Sequence, residues 1–158
     1  MRLAREALRQ DPAGTDWEFI AGYGLMQSGD YAGAAASFSR VTQHNPEDID
    51  AWNLLGETRR VAGNPAQAAR TLEHAATIGR TSEVTFFLLG EAYRDLGRPD
   101  RSIPAYRESL RLDPSFAPAW FGLGLVYRQT GRREELREVQ EQLQKLNPAL
   151  ADQLSKGR

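Results

Sequence analysis

The stretch Trp120-Phe121-Gly122-Leu123-Gly124-Leu125-Val126-Tyr127 decides how this chain is read. Stepping back from Gly124 by 34 residues at a time lands on Gly90, Gly56 and Gly22. Gly29, Gly63, Gly97 and Gly131 form a second ladder with the same step, and Pro12, Pro46, Pro114 and Pro148 a third. Arg80 stands at the missing rung of the proline ladder. A period of this length with this punctuation marks stacked helical hairpins, each too small to bury its apolar face alone.

The repeated positions have direct physical readings. Trp52, Leu55 and Arg59 stand at i, i+3 and i+7, on one stripe of a helix. The glycine after each leucine removes a side chain where the paired helix crosses, and Ala34 and Ala68 do the same from the other side. Phe38, Leu72 and Tyr106 fill the space between consecutive hairpins. Gly29, Gly63, Gly97 and Gly131 are expected to end the first helices in the left-handed conformation. Pro65 and Pro99 follow near the first turn of the second helices, and Pro46, Pro114 and Pro148 close them. Helices are predicted near 2–10, 15–28, 31–44, 48–62, 65–78, 82–96, 99–112, 116–130, 133–146 and 149–155, with Pro104 expected to bend or loosen one of them.

Composition narrows the function classes. A net charge of −1 over 158 residues argues against a nucleic-acid footprint, which needs a basic excess on one face. The chain has no cysteine, so disulfides and thiolate metal sites are excluded. No apolar run approaches a membrane span, and Met1 to Asp11 are charged and helix-prone, with no continuous apolar stretch of the kind expected of a signal peptide. The compartment is open, cytoplasmic by default. His44 and His74 have no metal-ligand spacing, no phosphate loop or nucleophile elbow occurs, and no cofactor is called for.

The chain resembles the tetratricopeptide repeat (TPR) family, whose pattern is W-x2-L-G-x2-Y, then A-x3-F, then P. Trp120-x2-Leu123-Gly124-x2-Tyr127 matches outright, Phe86-x2-Leu89-Gly90-x2-Tyr93 substitutes one aromatic, and Trp52-x2-Leu55-Gly56-x2-Arg59 loses the last one. Glu18-x2-Ala21-Gly22-x2-Leu25 is weakest. Ala34-x3-Phe38, Ala68-x3-Leu72 and Ser102-x3-Tyr106 follow, while Leu136-x3-Gln140 departs. The resemblance implies an all-α fold, a right-handed superhelical stack of antiparallel hairpins. Repeats are expected over 15–48, 49–82, 83–116 and 117–148, with a capping helix over 149–158. Residues 1–14 align with the second helix of a partial repeat, so the chain is expected to be either a fragment of a longer array or a stack capped by a lone helix.

In this family peptides lie in a concave groove lined by the first helix of each hairpin. Carried across, the groove positions are Phe19, Tyr23, Asn53, Glu57, Arg60, Phe87, Glu91, Arg94, Phe121, Leu125 and Arg128. Many are aromatic or apolar yet avoid the packing stripe, as binding anchors do. Asn53 can both donate to and accept from a peptide backbone. Arg60, Arg94 and Arg128 form a ladder able to fork onto carboxylates or phosphates. The competing reading is structural. Glu57–Arg60 and Glu91–Arg94 have the i, i+3 spacing of ordinary helix pairs, and the phenylalanines can pack between neighbouring helices.

The leading expectation is a non-enzymatic scaffold that binds a peptide, acidic or C-terminal, of a partner protein. Alternatives are a substrate-recruiting array of a larger enzyme, such as a glycosyltransferase or sulfotransferase, and a self-assembly module. The last would use an open N-terminal face near Leu3 and Leu8 to form a homo-oligomer.

Overall fold

The computed structural model describes residues 15–78 and 82–157. The helix expected over 2–10, with Leu3 and Leu8, lies outside these residues. The regular elements among the described residues are all helices, with no strand. They fall into two compact units, divided between Thr81 and Ser82.

The first unit holds α1 (Thr15–Gln27), α2 (Tyr31–His44), α3 (Ile49–Val61) and α4 (Pro65–Ala75). α1 packs on α2, α2 on α3, and α3 on α4. The second holds α5 (Glu83–Asp95), α6 (Pro99–Leu112), α7 (Ala117–Gln129), α8 (Arg133–Leu146) and α9 (Pro148–Lys156). Its helices pack in the same consecutive order, and α9 also folds back onto α7.

Local chemistry sets the helix ends. Asp30, Asp48, Ser82 and Asn147 accept backbone N–H groups from the first turns of α2, α3, α5 and α9. Pro65, Pro99 and Pro148 occupy first helical positions, where a missing N–H costs nothing. Gly29, Gly63, Gly97 and Gly131 all have positive φ, between 66° and 82°, as the ladder requires. α6 continues through Pro104 without a break.

The glycine ladder inside the first helices marks close approach. A Cβ at Gly56 would lie 2.6 Å from Leu72, and one at Gly90 would lie 2.7 Å from Tyr106. Tyr106, fully buried, is also met from α7, where a Cβ at Gly122 would lie 2.6 Å from its ring. In the last hairpin Gln140 leaves the aromatic slot empty, and Leu154 of α9 supplies the missing bulk. A Cβ at Gly124 would stand 2.5 Å from Leu154 and 3.0 Å from Val139. The core of this unit runs through Tyr106, Leu123, Val126, Val139, Leu143 and Leu154. The core of the first unit centres on Leu25, Ala34, Phe38 and Leu55.

The proline ladder has a second role. The indole N–H of Trp52 donates to Pro46 O at 2.9 Å, and that of Trp120 to Pro114 O at 2.8 Å. Each tryptophan thereby ties its helix to the turn that precedes it. Phe86, which has no such donor, belongs to the hairpin with Arg80 in place of the proline.

Candidate functional site

In the first unit the predicted residues lie on α1 (Phe19, Tyr23) and α3 (Asn53, Glu57, Arg60). The hydroxyl of Thr58 joins these helices by donating to Met26 Sδ at 3.4 Å. Phe19 is half-buried, its ring edge-on to Phe38 with centroids 5.8 Å apart. Tyr23 is different: 49% of its surface is exposed. Asn53 is 95% buried, since only 5% of it is exposed, and its Oδ1 has no hydrogen-bond partner. Arg60 grips Glu57 with both arms of its fork, Nε to Oε2 at 2.8 Å and Nη2 to Oε1 at 2.9 Å.

In the second unit the predicted residues lie on α5 (Phe87, Glu91, Arg94) and α7 (Phe121, Leu125, Arg128). Phe87, Phe121 and Leu125 are half-buried against the core. Phe87 meets Phe116 edge-on, with centroids 5.4 Å apart. Glu91 is buried and doubly bonded: Oε2 takes Arg94 at 2.7 Å and Oε1 takes the Tyr106 hydroxyl at 2.5 Å. Burial foremost, and then the Glu91 charge, push the Tyr106 phenol well above its ordinary pKa. Arg128 donates to Leu154 O at 2.7 Å and so holds the C-terminal end of α9.

The arginine ladder is therefore three different devices at one register. Arg60 and Arg94 are paired within their own helices, and Arg128 caps a neighbouring one. The phenylalanines serve the core with one side and present the other.

Sequence reasoning missed two features of the first hairpin. Glu18 is buried in the slot that Trp52 and Trp120 fill elsewhere, and both its oxygens lie 2.6 Å from Arg40 Nε. The signal was an acid at an aromatic register with an arginine 22 residues later. Trp17 and Ile20, one helical step apart beside Tyr23, are 44% and 52% exposed. Trp17 stands one place ahead of the packing register and stays outside the core.

His44 and His74 are both exposed, and His44 donates through Nδ1 to Arg40 O at 2.9 Å. Among the described residues no group of three metal-capable side chains occurs. No helix there is long and apolar enough to cross a membrane.

Models of the tetratricopeptide repeat match residues 25–84 and 87–151. No curated protein matches the chain. Among solved structures, MamA superposes with a TM-score of 0.84 at 22% identity, over 96% of this chain and 88% of that one. YrrB, described as a TPR protein with an unusual peptide-binding site, superposes with a TM-score of 0.73 at 16% identity, over 92% and 75%. A mutant O-GlcNAc transferase of Thermobaculum terrenum matches with a TM-score of 0.66 at 26% identity, covering 74% of this chain and 22% of the enzyme. With both family matches falling on the hairpins that the glycine ladders mark out, the chain belongs to the tetratricopeptide-repeat family.

Proposed function

We propose that the chain is a non-enzymatic interaction scaffold that holds a peptide segment of a partner protein on the first helices of its hairpins. The observation that carries this reading is Tyr23, exposed by 49% on α1 beside Ile20 and Trp17. Three large apolar side chains at successive i, i+3 spacing on a solvated face are costly to leave in water, and such residues are typical binding anchors. Asn53 adds to it. A buried amide oxygen without a partner costs about 1–3 kcal/mol, and a peptide N–H reached by rotation of the side chain would recover part of that. Within the first unit an acidic or C-terminal segment would engage Arg60 by exchange with Glu57, and within the second unit Arg94 offers the same exchange with Glu91. The peptide-binding site named for YrrB is in keeping with this use of the fold.

The test is selection of a displayed peptide library on the native chain, followed by titration of the selected peptide. Affinity is expected to fall at least tenfold, or about 1.4 kcal/mol, in Tyr23→Ala with Ile20→Ala, with the melting temperature retained. Equal affinity in native chain and variant overturns the assignment.

A second reading is favoured by the match to the O-GlcNAc transferase. There the same face would recruit protein substrate to a catalytic domain elsewhere in a longer protein. The full reading frame in the source genome decides between a scaffold and an enzyme's recruiting array.

A further inference from the structure

The hairpins differ in charge along the seam between first and second helix. In the first, Glu18 and Arg40 neutralise each other across the seam from α1 to α2. In the second, Trp52 takes the register of Glu18, and His74 that of Arg40. Arg59 stands where the later hairpins have Tyr93 and Tyr127, and Arg70 where they have Pro104 and Glu138. The second hairpin has thus lost its internal carboxylate and acquired two guanidinium groups.

These side chains meet. Trp52, Arg59, Gln67, Arg70, Thr71 and His74 line an open pocket of about 400 Å³ between α3 and α4, with no acid among them. Arg59 is fixed there, donating through Nη1 to Thr71 Oγ1, which itself donates to Gln67 O at 2.8 Å. His74 stands edge-on to Trp52, with ring centroids 4.5 Å apart. Neither Arg59 nor Arg70 has an ion-pair partner among the described residues. Burial first, and then the charge of Arg70, depress the Arg59 pKa.

Two neighbouring guanidinium groups without a counter-ion repel each other, and a bound anion reverses the sign of that interaction. The first hairpin shows what one carboxylate satisfies: a single arginine. Two guanidinium groups and an imidazole match a group with about −1.5 to −2 charge and three acceptor oxygens.

We propose that the Trp52–Arg59–Arg70–His74 pocket binds a phosphate group, carried by a modified segment or free. It lies on a different stripe of α3 from Asn53, Glu57 and Arg60, so it stands or falls independently of the peptide-binding face.

The chain has only two histidines, and the exposed His44 is an internal reference for His74. The experiment follows both ring-proton resonances and the Trp52 indole N–H by NMR at fixed pH and ionic strength. The probes are inorganic phosphate, the tripeptide Gly-phosphoserine-Gly and unphosphorylated Gly-Ser-Gly. A saturable shift of His74 and Trp52 with the phosphorylated probes, leaving His44 in place, is the expected result. Affinity should fall at least tenfold in Arg70→Gln, an exposed position where the fold and melting temperature survive. Tighter binding of the phosphopeptide than of inorganic phosphate identifies a modified partner segment as the source, and equal binding identifies free phosphate. Parallel, unsaturable shifts of His44 and His74, or identical titrations of native chain and Arg70→Gln, overturn the proposal.

Discussion

The hydroxyl of Tyr106 donates to Oε1 of Glu91 at 2.5 Å, joining the second helix of a hairpin to the first. Glu91 belongs by register to the candidate binding face, yet one of its oxygens is committed to the core and the other to Arg94. A residue that shares the register of the proposed binding face is here a link between that face and the interior.

Tyr106→Phe keeps the ring and removes the donor, leaving a buried carboxylate oxygen unpartnered. The expected loss is about 1–3 kcal/mol in urea unfolding. A loss below about 0.5 kcal/mol would show that water reaches Glu91 in the variant.

The same bond gives an alkaline signature. Tyr106 has a folded-state pKa above its unfolded value of about 10, so its contribution is fully present below pH 10 and is lost as pH rises beyond it. Stability measured from pH 9 to 11.5 should fall with a slope that includes up to about 1.4 kcal/mol per pH unit from this one group. Tyr106→Phe should remove that component, so the two stability curves converge at high pH. Parallel curves would place the titration elsewhere.

Gly122→Ala puts a methyl group 2.6 Å from a fully buried ring that has no room to retreat, because Gly90 closes the other side. A destabilisation of about 1–3 kcal/mol is expected despite alanine's better helix propensity. Combining Gly122→Ala with Tyr106→Leu should cost less than the sum of the single changes, measured as a double-mutant cycle. Strict additivity would remove the steric explanation.

Arg94 and Arg128 share a register and should part company on mutation. Arg128→Ala frees the carbonyl of Leu154, so amide exchange in α9 should accelerate several-fold while α5 and α6 stay protected. Arg94→Ala should leave α9 exchange unchanged. Equal exchange in α9 for both variants would show that the Arg128 bond contributes nothing there.

Fold and site were legible to different degrees for physical reasons. Leu55, Gly56, Leu72 and Tyr106 recur because every hairpin meets its neighbours in the same geometry, so packing is written periodically. The exceptions to the period are where reading failed. Glu18 stands out only as an acid at an aromatic register, and no repeat position pairs it with Arg40, since they meet across two helices. Arg128 looks like Arg60 and Arg94, and its role depends on α9, which no repeat supplies. Exposure was equally hidden: Phe19 and Tyr23 occupy neighbouring positions of one stripe, and only the packing of Phe38 makes the first a half-buried residue and leaves the second exposed.

The ring of Tyr106 lies against glycines of both α5 and α7, so one side chain of α6 takes part in two interfaces. Arrays of this kind can in principle melt from an end, one module at a time. A shared ring opposes that route, because withdrawing α7 strips one side of the residue that holds α6 to α5. The unit from Glu83 onward should therefore lose its structure in a single cooperative step, with the helix that carries Tyr106 setting the size of the cooperative block.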